Sequence, residues 1–112
     1  MKKIEAIIKP EKLDEVKNAL TDHNIKGITI TQVIGAGNQK GQKQLYRGAE
    51  VPINLLPKIK LEIVVAEDHV DEIVQVIAKT ANTGNIGDGK IFVYTVDNAY
   101  RVRTGESGDA AL

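Results

Sequence analysis

Hydrophobic and polar positions along this chain alternate first with the period of a strand and then with that of a helix. Ile4, Ala6 and Ile8 alternate with Lys3, Glu5 and Ile7 over residues 2 to 9, which predicts a strand with one buried face, ended by Pro10. Leu13, Val16, Ala19 and Leu20 then share one helical stripe, with Pro10 marking its start and Gly27, just past Asn24, its end. A second strand alternates Ile28, Ile30 and Ile34 with Thr29, Thr31 and Val33 until Gly35 and Gly37 break it. The third runs from Lys58 to Val65, with Ile59, Leu61, Ile63 and Val65 on one face. Val70, Ile73, Val74, Ile77 and Ala81 make the clearest helix, behind the acids Glu67 and Asp68, whose charge suits a helix start. A glycine-rich turn over 82–90 leads into a last strand, Lys90 to Asp97.

The order βαββαβ predicts an α+β fold, the ferredoxin-like sandwich, in which an antiparallel sheet carries both helices on one face. Its other face holds Ile7, Thr31, Val33, Val64, Phe92, Tyr94 and Val96 among Lys3, Glu5, Lys60 and Glu62. So apolar a face predicts a homo-oligomer that buries it. Between strands two and three, residues 37–57 follow neither period and hold three glycines and two prolines. A loop this long is either functional or a tolerated hairpin insertion.

Composition narrows the class. The 112 residues make one domain with a single core, 42% hydrophobic and 27% charged, with no apolar run long enough for a membrane span. The absence of cysteine excludes disulfides, thiol catalysis and sulfur-ligated metals, and the N-terminus lacks a secretory pattern, so the expected compartment is cytoplasmic. Fifteen bases balance fifteen acids, which argues against direct nucleic-acid binding. Locally, Lys40, Lys43, Arg47, Lys58 and Lys60 face the single acid Glu50 between positions 37 and 60.

Gly84 to Lys90 has the spacing of a P-loop, but Ile91 replaces the magnesium-binding hydroxyl and a strand follows where a helix is needed. The capacity to cradle an anion with backbone N–H groups at Gly87, Asp88 and Gly89 and with the Lys90 ammonium remains; the alternative is a tight turn with a solvated lysine. Arg101 and Arg103, two apart in extended chain, would project together and join Lys90 on one polyphosphate, or else be neutralised by Glu106 and Asp109. Gly35-Ala36-Gly37 falls short of a dinucleotide fingerprint, since Lys40 stands where the third glycine belongs. Gln39 and Lys58 flank the long loop and suit a carboxylate or ordinary loop-base hydrogen bonds. His23 and His69 read as exposed helix residues away from the turn, and no nucleophilic triad or carboxylate dyad can be assembled.

The run Thr83 to Val93 resembles the C-terminal signature of the PII signal-transduction family, regulators of nitrogen, carbon and energy status. Residues 1–10, 35–49 and 101–106 agree with it, among them Gln39-Lys40-Gly41 and Leu45-Tyr46-Arg47-Gly48-Ala49-Glu50. The resemblance implies a homotrimeric, non-enzymatic sensor that binds ATP or ADP in clefts between subunits. The matching positions are Thr29, Gly35, Gly37, Asn38 and Val64, with Gly87, Asp88, Gly89, Lys90, Arg101 and Arg103 toward the phosphates. Asn38 stands where the family often has arginine. The resemblance also implies that 2-oxoglutarate and ATP share a magnesium ion near Gln39, the 2-oxoglutarate being held by Gln39, Lys40, Gly41, Lys58 and Gly87, with Gly37 backbone beside it. Residues 37–57 then match the T-loop, the arm that meets ammonium channels of the Amt type, nitrogen-metabolism enzymes or transcription regulators, here through Tyr46, Arg47, Gly48 and Ala49. Val51 occupies the place of the tyrosine that many relatives modify, and Ala49 that of a phosphorylated serine, so control by ligands alone is expected. A slow ATPase in the same cleft and a ligand-free scaffold are the alternatives.

Overall fold

The computed structural model describes residues 1–36 and 55–112, together with the backbone of 43–46 and 49–52. Strands β1 (Lys2–Ile8), β2 (Thr29–Ala36), β5 (Leu55–Val65) and β6 (Gly89–Thr95) form one antiparallel sheet in the order β2-β5-β1-β6. Helices α1 (Leu13–Asp22) and α2 (Val70–Ala81) pack on one face, and the ferredoxin-like α+β architecture follows. A separate hairpin pairs β3 (Lys43–Tyr46) with β4 (Ala49–Pro52). Those short strands lack an alternating pattern long enough to be legible in the sequence.

Register explains the core. Ile4 pairs with Ile63, Ala6 with Leu61 and Ile8 with Ile59, and all six are buried under Val16 and Leu20 of α1 and Ile73, Ile77 and Ala81 of α2. Burying an isoleucine of this kind stabilises by about 2 kcal/mol relative to leaving it exposed. No residue of β2 belongs to that core, because the helices cover β1 and β5 while β2 lies at the sheet edge. Ile30 and Ile34, expected to point inward, are 41% and 74% exposed for that reason.

Two boundaries differ from the sequence reading. Helix α1 is closed at Asn24, not Gly27: Asn24 takes a left-handed φ of 64°, its N–H bonds to the Thr21 carbonyl (3.0 Å), and Ile25 N–H bonds to the Leu20 carbonyl (3.0 Å). That pair of bonds finishes the last turn, a role asparagine fills in place of glycine. Strand β5 begins at Leu55, three residues before Lys58, and pairs Leu55 with Ala36. Pro57 hid this extension, but it needs no ladder N–H where it opposes the edge strand at Ile34.

Candidate functional site

On the sheet face away from the helices, register sets out rows of side chains across the strands. Thr31, Lys60, Ile7 and Lys90 form one row, and Thr29, Glu62, Glu5 and Phe92 the next but one toward the other end. Val64, Lys3 and Tyr94 follow. The face is therefore graded: lysines 58, 60 and 90 at the end where β6 begins, acids in the middle. Lys3 Nζ bonds to Glu62 Oε2 at 3.3 Å and sits 4.8 Å above the Tyr94 ring, whose hydroxyl donates to Glu5 Oε2 at 3.1 Å. Phe92 and Tyr94 remain 44% exposed, as the expected apolar face requires, while Val96 falls beyond the end of β6.

The glycine turn stands at the lysine-rich end. Gly84, Gly87 and Gly89 all have positive φ, of 81°, 96° and 108°. At Gly89 a Cβ would lie 1.7 Å from the Ile7 carbonyl oxygen, so no other residue fits where β6 joins β1. The Asp88 carboxylate is turned into the bend. It accepts from Thr83 N–H at 2.7 Å, from Gly84 N–H at 3.0 Å and from the Thr83 hydroxyl, and it pairs with Lys9 Nζ at 3.2 Å. These donors, the Thr83 hydroxyl foremost, hold its carboxyl well below the ordinary value of 3.8. Asn82 Oδ1 accepts a second bond from Gly84 N–H (2.6 Å). Lys58 Nζ, half-buried, donates to the Gly87 carbonyl at 2.5 Å and so ties β5 to the turn. Gly35 serves that lysine: a Cβ there would sit 3.1 Å from Lys58 Cγ. The Gly87 N–H has no partner among the described residues, and Lys90 is exposed beside it. Free amide, lysines and glycine geometry together suit an anion.

Arg101 and Arg103 depart from the expected arrangement. They stand in a turn, not in extended chain, since Gly105 N–H bonds to the Arg101 carbonyl at 2.7 Å, and the alternation that would project both guanidiniums together does not apply. Arg101 is half-buried; its Nε lies 3.9 Å from Glu106 Oε1 and its Nη2 donates to the Leu112 main-chain oxygen at 3.4 Å. Arg103 is exposed. Glu106 thus takes the neutralising role considered for it, whereas Asp109 lines a hollow with His23, Val64, Ala66, His69 and Leu112.

That hollow fixes where the arginines are. Chain 98–112 leaves β6 at the Thr95 end, which pairs with Lys2, and packs by Val64 to Ala66. The turn precedes Gly89, which pairs with Ile8. Six residue steps of strand, about 20 Å, separate the two ends. Within one chain, then, Lys90 does not meet Arg101 and Arg103. The matched positions divide into two groups: Gly35, Lys58 and Gly87 to Lys90 at one end of the sheet, and Thr29, Val64, Arg101 and Arg103 at the other. Gly37, Asn38, Gln39, Lys40, Gly41, Arg47 and Gly48 lie outside the described residues, and Tyr46 and Ala49 are placed only as a register pair of the hairpin.

Sequence reasoning missed two groupings. Lys9 and Thr83 act on Asp88; the threonine five residues before it, at the end of a helix, was the available signal. His23 and His69, exposed as expected, share one acid: His23 Nδ1 is 2.9 Å and His69 Nδ1 3.8 Å from Glu72. The bond from His23 keeps the Glu72 carboxyl below 4.5. No group of three or more ligating side chains able to hold a metal occurs among the described residues, and no helix there is long and apolar enough to cross a membrane.

Comparison with known proteins identifies the family. The family model for nitrogen regulatory protein P-II matches residues 1–106. The chain is 58% identical to nitrogen regulatory protein P-II 1 of Escherichia coli K12, 57% to nitrogen regulatory protein P-II of Haemophilus influenzae and 56% to that of Pasteurella multocida, each over the full length of both chains. A pattern-built sheet, a glycine turn of fixed geometry and sequence identity from end to end lead to one assignment: this chain belongs to the P-II family of nitrogen regulatory proteins.

Proposed function

We infer that the protein is a nitrogen-, carbon- and energy-status signalling protein, not an enzyme, that binds ATP or ADP and regulates a partner protein. One observation supports the reading: the residues matched to the nucleotide site fall in two groups at opposite ends of one sheet, each bordering an exposed face. A nucleotide that uses both must lie between two copies. The Gly87 to Lys90 turn of one copy then receives the phosphates, and Thr29, Val64, Arg101 and Arg103 of its neighbour complete the cleft. A homotrimer closes such a head-to-tail arrangement with three equivalent clefts and covers Phe92 and Tyr94.

Lys58 is poised at the same end. Its ammonium rests on the Gly87 carbonyl, and a ligand carboxylate is a stronger acceptor than a carbonyl. In this reading 2-oxoglutarate takes Lys58 from Gly87, with Gln39, Lys40 and Gly41 beside it and magnesium, shared with ATP, at Gln39. The occupied cleft then selects among states of the T-loop, which presents Tyr46, Arg47, Gly48 and Ala49 to an ammonium channel of the Amt type, a nitrogen-metabolism enzyme or a transcription regulator. The protein itself stays cytoplasmic.

Mixing tests the half-site arrangement. Lys90→Ala and Arg101→Ala trimers should each bind ATP weakly, the arginine loss costing roughly 1.5–3 kcal/mol. Subunit exchange between them should regenerate intact clefts, read by calorimetry as a fraction of tight sites. No recovery, or a 12 kDa species alone in sedimentation, would remove the reading; 2-oxoglutarate binding equally well without ATP and magnesium would remove its second ligand.

A further inference from the structure

Asp88 is the sole acid of the glycine turn over 82–90, next in sequence to Gly87, whose carbonyl holds Lys58, and two residues before Lys90, where a phosphate would bind. A carboxylate facing that phosphate would oppose it. All of its bonds run the other way, to Thr83 N–H (2.7 Å), Gly84 N–H (3.0 Å), the Thr83 hydroxyl and Lys9 Nζ (3.2 Å). Lys9 Nζ donates also to Thr83 Oγ1 at 3.2 Å. Both members of the ion pair are largely shielded, with side chains 19% and 23% exposed. The clasp thereby joins three segments: the chain leaving β1 at Lys9, the chain leaving α2 at Thr83, and the chain entering β6 at Asp88. Between the last two lie Gly84 and Gly87, whose freedom would otherwise leave the turn many conformations.

We propose that Asp88, Lys9 and Thr83 are positioning residues that fix the Gly84 to Gly89 turn, so that the Gly87 and Asp88 amides are aimed at a phosphate while none of the three side chains touches the nucleotide. This rests on the nucleotide reading of the turn and deepens it. It assigns Lys9 and Thr83 a part, and it separates what Asp88 does with its backbone from what it does with its side chain.

The sign of one substitution decides between positioning and contact. A carboxylate beside a polyphosphate repels it, so Asp88→Asn would tighten ATP if the side chain faced the ligand. The clasp requires the reverse: ATP binding by Asp88→Asn about tenfold weaker, the loss of one charge-assisted bond network. Lys9→Met should weaken ATP and ADP by the same factor, because a lysine that orders the turn is indifferent to the terminal phosphate. Thr83→Val should weaken both, and Thr83→Ser should restore them. Tighter or unchanged binding in Asp88→Asn, or a selective loss of ATP over ADP in Lys9→Met, would overturn the proposal. If Asp88→Asn does not fold, the Lys9 and Thr83 variants carry the same decision.

A ligand-free measurement keeps this separate from the nucleotide reading. Hydrogen exchange at the Thr83 and Gly84 amides should be slow in the intact protein and markedly faster in Asp88→Asn and Thr83→Val. Fast exchange in the intact protein would overturn the clasp even if ATP binds. Slow exchange in a protein that fails to bind ATP would leave the clasp standing and remove the nucleotide reading instead.

Discussion

The two ends of the sheet carry basic residues in opposite ways. At the β6 start, Lys9, Lys58 and Asp88 are bonded to turn backbone or to one another, three glycines hold positive φ, and the close approach of Gly89 to Ile7 leaves no room for a side chain. At the far end Gly105 and Gly108 also hold positive φ, but a Cβ at either would meet nothing within 4 Å, as at Gly84; there Arg103 is exposed and Arg101 stands 3.9 Å from Glu106. The first end is organised by its own chain. The second ties its backbone, with Arg101 N–H on the Glu106 carbonyl at 2.8 Å and Gly105 N–H on the Arg101 carbonyl at 2.7 Å, but holds its guanidiniums only loosely.

Glycine replacement should break this contrast most sharply. Gly89→Ala places a methyl against the Ile7 carbonyl and strains φ at 108°, so thermal unfolding should show a loss of roughly 3 kcal/mol or more, with nucleotide binding lost as well. Gly105→Ala has a similar backbone problem, φ 74°, but open space around it, and should cost only about 1 kcal/mol. Equal effects would mean that the two turns are equally constrained, contrary to the contrast.

Lys58 comes next. Lys58→Met keeps the stem that packs over Gly35 but frees the Gly87 carbonyl, which should cost about 1 kcal/mol, since the site is only half-buried. Fluorescence-detected or calorimetric unfolding measures it, and an unchanged midpoint would show that the bond contributes nothing to the turn.

Acid should distinguish the ends as well. The Asp88 carboxyl is held below 3.8 in the folded chain, so above that pH the folded state carries the charge and its bonds at full strength. As pH falls below 3.8 the unfolded chain takes up the proton first, and the contribution is progressively lost. The stability difference between the intact protein and Asp88→Asn should therefore be constant near neutrality and shrink on acidification. A difference that grows toward low pH would reverse the assigned direction.

How much of this could be read from the chain follows from range. Alternation at Ile4, Ala6 and Ile8 and the stripe Ile73, Ile77, Ala81 are local periodicities enforced by a shared core, and the sheet and both helices were legible from them. The exposure of Ile30 and Ile34 was not, because alternation reports which face a residue takes and says nothing of whether a helix reaches the edge strand. The glycine turn was legible as a bend through Gly84, Gly87 and Gly89, yet the direction of the Asp88 side chain depends on Lys9, 79 positions away in number, and no spacing encodes that contact. Arg101 and Arg103 looked aligned because extended geometry was assumed; a turn bond at Gly105 removes the assumption.

The smallest expected effect is at the loosely set end, and it bears on why that end is loose. Arg101 and Glu106 form a partly exposed pair at 3.9 Å, with side chains 39% and 47% exposed, and pairs of this kind contribute at most about 0.5–1 kcal/mol. Glu106→Gln should accordingly leave the unfolding midpoint almost unchanged. Its effect on ATP should have the opposite sign to a loss: Arg101 released from a competing carboxylate is freer to meet phosphate, and affinity should rise by a factor of about two to five, the equivalent of that same modest pair energy. Added salt should erase the difference, because it screens the pair it competes with. A large destabilisation in Glu106→Gln would instead make the carboxylate a builder of the C-terminal turn, through its acceptance of the Thr104 hydroxyl at 2.8 Å, and the two ends of the sheet would then be organised alike.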